Sequence, residues 1–157
     1  MSENKTVIAI VDDHPVVIEG LKALLKTNVN IGHTISFSKG ADFIAFLKEN
    51  HVDIVLLDIM LPDANGLDLC KEIKNIRPDT IVLGLSNQAE RSIILQMMQN
   101  GASGYLLKNA SAEELVYCIK EVQQGGVAFS EEVMEIMTKP TRNELRGLPS
   151  ITKREKK

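Results

Sequence analysis

Five largely apolar runs, each followed at its carboxyl end by a polar or charged residue, constrain this chain more than any other feature. The runs cover residues 7–11, 34–37, 52–57, 81–85 and 105–107. They are continuous rather than alternating, which is the pattern of strands buried on both faces in a parallel sheet covered by helices. Between them apolar residues recur at helical spacing: Val16, Val17, Leu21, Leu24 and Leu25, then Phe43, Ile44, Phe46 and Leu47, then Ile94, Met97 and Met98, then Leu115, Ile119 and Val122. The alternation predicts an α/β fold with a five-stranded parallel sheet and helices on both faces. A chain of 157 residues suits one such domain with a tail.

Helix starts carry their own marks. Asn87 has Glu90 three positions on, and Ser111 has Glu114 three positions on, so both spacings predict an N-cap with a reciprocal partner. Gly125 and Gly126 end the last helix of the alternation, placing a domain over residues 1–126. Ser130, Glu131 and Glu132 predict the capped, acidic first turn of one further short helix within residues 127–138. Residues 139–157 hold Pro140, Gly147, Pro149 and dense charge, and read as a linker.

Charge and cysteine content exclude several classes. The formal net charge of -3 is split: residues 1–138 stand at -8 and residues 139–157 at +5, so nucleic-acid affinity is expected only toward the tail. Cys70 and Cys118 lie in helix-like sequence and read as reduced core thiols, without a disulfide framework or a Cys-rich zinc site. No apolar run approaches the ~18 residues needed to span a bilayer, and the N-terminus has no signal-peptide layout, so a cytoplasmic protein without membrane attachment is expected.

The chemistry is expected where the runs end. The first leads into Asp12 and Asp13, the third into Asp58, the fourth into Ser86 and the fifth into Lys108. Ligands of an open parallel sheet bind outside the carboxyl ends of its strands, so these side chains are expected to share one rim. Two carboxylates ~4 Å apart repel by about 4 kcal/mol at an effective dielectric near 20. Three with one lysine therefore call for a cation, and a hard ion such as Mg2+ suits oxygen ligands. Lys108 and Ser86 are then free to meet an anion, for which a phosphoryl group is the fitting candidate.

Three segments carry a family resemblance. Val11-Asp12-Asp13-His14-Pro15, then Leu57-Asp58-Ile59-Met60-Leu61-Pro62 with Asn65-Gly66, and Gly104-Tyr105-Leu106-Leu107-Lys108 together resemble the receiver domain of two-component response regulators, NarL/FixJ (LuxR-type) subclass, over residues 6–125. The resemblance implies a flavodoxin-like fold and a phosphorylation-controlled signalling switch rather than an enzyme, with only slow self-catalysed phosphorylation and dephosphorylation. It implies Asp58 as phosphoacceptor, Asp13 as direct Mg2+ ligand with Asp12 acting through water, and the backbone carbonyl of Met60 as a further ligand. It implies Lys108 and Ser86 at the phosphoryl oxygens, and Ser86 with Tyr105 as the switch pair. Asn87 takes a position where the family often has alanine, which implies a role in access beside its predicted capping. A sensor histidine kinase is the implied partner, and a homodimer is implied on phosphorylation. Leu148-Pro149-Ser150-Ile151-Thr152-Lys153-Arg154-Glu155 resembles the start of a LuxR-type helix-turn-helix that is cut short at Lys157, so DNA contact is expected only through an output domain absent from this chain.

Other polar residues read as structural. His14, beside Pro15 at a helix start, is expected to be solvated, and His33 and His51 to be surface positions. Asp53 falls at the opposite end of its strand from Asp58 and, like Asp63 and Asp68, is expected to be structural, while Met97 and Met98 read as core filler. An aspartyl phosphatase of the haloacid dehalogenase type is disfavoured because Met60 stands where a second Asp is needed, and nucleotide-binding glycine loops are missing. A stand-alone phosphorelay receiver acting only through protein contacts is the remaining alternative.

Overall fold

The computed structural model describes residues 6–28, 31–88 and 90–138. In chain order it contains β1 (Thr6–Val11), α1 (Pro15–Asn28), β2 (Ile31–Phe37), α2 (Gly40–Glu49), β3 (Ile54–Asp58) and α3 (Gly66–Ile76), followed by β4 (Ile81–Ser86), α4 (Arg91–Gln99), β5 (Gly104–Leu107), α5 (Ala112–Gln123), β6 (Ala128–Phe129) and α6 (Glu131–Thr138). The strands form one sheet in the order β2-β1-β3-β4-β5-β6, with every neighbouring pair parallel. The expected reading of residues 139–157 as a linker and the start of a helix-turn-helix lies outside the described residues.

The continuous apolar runs follow from burial on both sides. Ile8, Ile10, Ile54, Leu56, Leu83, Leu85 and Leu106 face Leu25 of α1 and Leu115, Ile119 and Val122 of α5. Their strand neighbours Ala9, Val11, Val55, Leu57, Val82, Tyr105 and Leu107 face Phe43 and Leu47 of α2, Ile73 of α3, Ile94 and Met97 of α4 and Val133 of α6. Successive side chains point to opposite faces, so neither face tolerates a polar residue until the strand ends.

The sheet has six strands where the sequence predicted five. Ala128 and Phe129 pair with Gly104 and Tyr105, extending the edge by a two-residue strand too short to show a period. The short helix predicted after it is present as α6, and it is anchored on several sides. Ser130 N–H donates to Tyr105 O (3.3 Å), the buried Ser130 Oγ accepts from Leu107 N–H (3.3 Å), and Arg91 Nη1 donates to Met137 O (3.0 Å). The predicted capping box of α5 is formed, with Ser111 Oγ accepting from Glu114 N–H and the Glu114 carboxylate accepting from Ser111 N–H. The same carboxylate also accepts from Glu131 N–H at 2.6 Å, so one side chain ties the starts of α5 and α6. These backbone donors hold the Glu114 carboxyl below its usual range.

Candidate functional site

Strand alternation explains why three polar side chains meet. Asp12 continues the side of Ile8 and Ile10, Asp58 that of Ile54 and Leu56, and Lys108 that of Leu106, so all three emerge toward α1 and α5 at the carboxyl end of the sheet. The backbone holds them there: Asp12 N–H donates to Phe37 O (3.0 Å) and Lys108 N–H donates to Ser86 O (2.8 Å), each prolonging the ladder by one step. Lys108 Nζ lies 2.9 Å from Asp12 Oδ2 and 3.2 Å from Asp58 Oδ2. All three side chains are almost wholly buried, Lys108 being 6% exposed and Asp12 fully enclosed.

Burial is the largest influence on Asp58 and pushes its carboxyl above the usual value of 3.8. The N–H of Met60, 3.1 Å from Asp58 Oδ1, opposes that shift, the Asp12 charge adds to it, and Lys108 again opposes it. The β3–α3 loop that carries Met60 is folded back on itself. Gly66 N–H donates to Ile59 O at 2.8 Å, Met60 and Asn65 form an antiparallel bridge, and Asn65 Oδ1 caps α3 through Leu67 N–H at 2.7 Å. A Cβ on Gly66 would sit 2.5 Å from Ile59 Cα, which only the absence of a side chain permits. The loop leaves the Met60 side chain 77% exposed beside the site.

Ser86 ends β4 and is buried, its Oγ accepting from Gln88 N–H at 3.2 Å. Tyr105 is enclosed as well and directs its hydroxyl to Gln88 O at 3.4 Å, burial raising its pKa. Gly84 makes room for the ring, since a Cβ there would lie 3.0 Å from Tyr105 Cδ2. A cavity of about 760 Å³ opens beside Asp58, walled by Asp13, Met60, Asn65, Ser86, Gln88 and Tyr105 among others.

Asp12, Asp13 and Asp58 are thus brought together with Lys108, while Ser86 and Tyr105 border the same cavity. Two expectations are corrected. Asn87 does not cap α4: the helix begins at Arg91, with Glu90 in the N-cap position in extended conformation and making no side-chain cap bond, so the Asn87–Glu90 spacing falls before the helix rather than across its first turn. His14 is not merely solvated. Its ring is 51% exposed, yet Nδ1 lies 2.9 Å from Asp12 Oδ1 and 3.4 Å from Asp13 Oδ1. The signal was present in the spacing, for a residue two after Asp12 can return to its side, and His14 N–H donates to Asp12 Oδ1 at 2.8 Å.

The remaining polar residues have local tasks. Asp63 accepts from Gly40 N–H (2.9 Å) and Ala41 N–H (3.1 Å) at the start of α2, and these bonds lower its pKa. Asp53 Oδ2 accepts from Val7 N–H at 2.8 Å, and His51 pairs with its other oxygen at 2.8 Å. Asp68 is exposed in the first turn of α3, His33 is exposed, and Met97 is core. Cys70 and Cys118 are buried free thiols, pushed up to about 11 by burial. Among the described residues no helix is long and apolar enough to cross a membrane.

The donor set fits a hard cation. Every carboxylate oxygen in the cluster is an anionic acceptor; among the described residues Asp12 Oδ2 meets the Lys108 ammonium at 2.9 Å, and the buried Asp13 Oδ1 accepts no hydrogen bond. Acidic pockets of this kind hold Mg2+ in receiver domains.

Comparison with known proteins agrees with this geometry. Residues 8–120 match the family described as response regulator receiver domain. The transcriptional regulatory protein DegU of Brevibacillus brevis is 32% identical over 90% of this chain and 60% of its own length. The transcriptional regulatory protein LnrK of Bacillus subtilis is 34% identical over 93% of this chain and 67% of its own length. A crystal structure of a two-component response regulator of the LuxR family from Aurantimonas sp. superposes with a TM-score of 0.80 at 25% identity, over 85% of this chain and 96% of that one. The chain spans about three fifths of the length of the first of these relatives. It belongs to the receiver domain family of two-component response regulators, of the LuxR/NarL type.

Proposed function

We propose that Asp58 accepts a phosphoryl group from a sensor histidine kinase in a Mg2+-dependent step, and that the resulting change drives homodimerisation and a DNA-binding output domain of the longer protein. One observation carries this reading: a buried carboxylate at the end of the central β3, next to a cavity walled by Asp13, Met60 and Ser86, with an enclosed lysine 3.2 Å away. An Asp58 oxygen bonds to phosphorus as the bond from phosphorus to the donor nitrogen breaks, and the electron pair leaves with that nitrogen. The carboxylate carries no proton to lose, so no general base is needed, and alignment with charge neutralisation suffices.

Asp13 and Asp58 would hold Mg2+ directly, with the Met60 carbonyl as a third ligand and Asp12 acting through water. Bound there, the ion offsets the repulsion among the carboxylates and the incoming phosphoryl oxygens. Lys108, already paired with Asp12 and Asp58, is placed to follow the charge onto the phosphoryl group. Ser86 accepts from Gln88 N–H and retains a hydroxyl proton that can turn to a phosphoryl oxygen. Because Gln88 also receives the Tyr105 hydroxyl, a shift of Ser86 reaches Tyr105 through one residue, which makes this the switch pair. The role is regulatory, with slow self-catalysed gain and loss of the group.

Intact-mass spectrometry after incubation with acetyl phosphate and Mg2+ tests the reading. A single phosphoryl adduct labile to hydroxylamine is expected, absent from Asp58→Asn; an adduct that persists in that variant would overturn it.

A further inference from the structure

The outward face of α5 takes no part in the phosphoryl site. Leu115, Cys118, Ile119 and Val122 of this helix pack on the sheet. Glu113, Val116, Tyr117 and Lys120 follow one another at helical spacing on the other side and, with Ala112, line a surface hollow of about 330 Å³. Tyr117 is 60% exposed, and its ring joins a large apolar body to a polar tip, the combination enriched in protein interfaces.

The charges on this stripe do not serve one another. Glu113 and Lys120 stand two turns apart, about 10 Å along the helix axis. Both are exposed, and among the described residues neither forms an ion pair. The order Glu113, Val116, Tyr117, Lys120 is nevertheless its own complement when reversed. Laid antiparallel against a second copy, with a two-fold axis between Val116 and Tyr117, each Glu113 meets Lys120 of that copy and each Val116 meets its Tyr117. Ala112 then falls opposite Glu121, so no like charges meet. A parallel arrangement would set Glu113 on Glu113 and Lys120 on Lys120, which fixes the direction.

The start of α5 is also tied to the site. Its N-cap, Ser111, follows Lys108 by three residues, and Ala110 N–H donates to Leu107 O at 3.0 Å, which leaves little slack between them. A lysine that follows charge onto a phosphoryl group therefore draws on the end of α5 that carries Glu113.

We propose that this face of α5 is the homodimer surface: two copies pair antiparallel, with two Glu113–Lys120 ion pairs flanking a Val116–Tyr117 centre. The proposal rests on the reading of a phosphorylation-driven homodimer and names the face it uses. Four residues on each copy make a small contact by the standard of permanent dimers, which suits an association that is made and released.

The test is sedimentation of the whole chain over a concentration series, before and after acetyl phosphate and Mg2+, with intact mass reporting the adduct in every sample. Wild type should self-associate more tightly when it carries the adduct. Glu113→Lys and Lys120→Glu should each take up the adduct as wild type does. Each should dimerise about tenfold more weakly or worse, since it sets two like-charged pairs across the axis. Mixed in equal amounts, the two variants should pair with each other, because both contacts are complementary again. Nitrogen-15 labelling of one variant lets native mass spectrometry tell mixed pairs from like pairs. Tyr117→Ala should weaken association and keep its urea midpoint near that of wild type. Single reversals that dimerise as wild type does, or that fail to pair when mixed, would overturn the α5 face. Wild type that carries the adduct and stays monomeric would overturn homodimerisation, and this face with it, while leaving phosphoryl transfer to Asp58 standing.

Discussion

Asp53 and Asp58 stand at the two ends of the same strand and each meets a donor at both oxygens, yet their surroundings differ. Asp53, just before β3, has Val7 N–H on one oxygen and His51 on the other. Asp58, which ends β3, is nearly enclosed, is raised in pKa by that burial, and has two further carboxylates as neighbours. A half-exposed carboxylate matched by donors secures the fold, whereas one whose donors do not offset burial and a neighbouring like charge is poised to take up a ligand or react.

The largest expected effect separates the two ends outright. Asp53→Ala should still take up phosphoryl from acetyl phosphate while losing about 1–2 kcal/mol of stability, because Val7 N–H loses a charged acceptor. Asp58→Asn should do the reverse, giving no adduct and an intact fold. Intact mass alongside urea unfolding reads both; loss of the adduct in folded Asp53→Ala would erase the contrast.

A second, smaller effect sharpens it through pH. The Asp58 carboxyl is raised by burial, so its contribution to stability is fully present below the ordinary 3.8 and is lost as pH rises through the raised value. Asp63 is lowered by Gly40 and Ala41 N–H, so its contribution is present above 3.8 and is lost as pH falls through the depressed value. In chelator-treated buffer, Asp58→Asn should therefore melt above wild type at neutral pH, with the gap closing in acid. Asp63→Ala should melt below wild type at neutral pH, and its gap should also close in acid. Thermal melts over a pH series check both signs; a gap for Asp58→Asn that is independent of pH would remove burial as its cause.

The same distinction explains what was legible in the sequence. The five continuous apolar runs located β1 to β5, and the residues ending four of them located the site, because strand alternation carries side-chain direction with it. The capping box of Ser111 was legible since both partners lie within one turn. β6 was not, for two residues have no period, and its place is set by Gly104 and Tyr105 from distant sequence. The His14 contact with Asp12 was legible in their spacing, whereas its approach to Asp58 and Lys108, 44 and 94 positions away, came only with the fold. Asn65 and Asp63 were assigned to a loop or left as structural, while the helices they cap became evident only with the fold: Asp63 serves the start of α2, where Gly40 and Ala41 lie 23 and 22 residues before it.

Asn87 gives the smallest and narrowest test. Its predicted cap is replaced by an N-cap position at Glu90 that makes no side-chain bond, and Asn87 itself is exposed. Asn87→Ala should therefore leave stability within about 0.5 kcal/mol of wild type, the usual range for a surface change. What remains is the access role, since Asn87 stands between Ser86 and Gln88, which both wall the cavity beside Asp58. Shortening it should speed phosphorylation by acetyl phosphate and loss of the phosphoryl group together, as donor and attacking water approach the same face of Asp58. Stopped-flow phosphorylation and decay of the isolated adduct measure the two rates. Glu90→Asp is the control: a shorter carboxylate in the N-cap position should strengthen α4 by about 0.5–1 kcal/mol and leave both rates where they are. Equal rates in Asn87→Ala and wild type would leave Asn87 with neither role, and access would then fall to exposed residues of the cavity wall such as Met60 and Gln88.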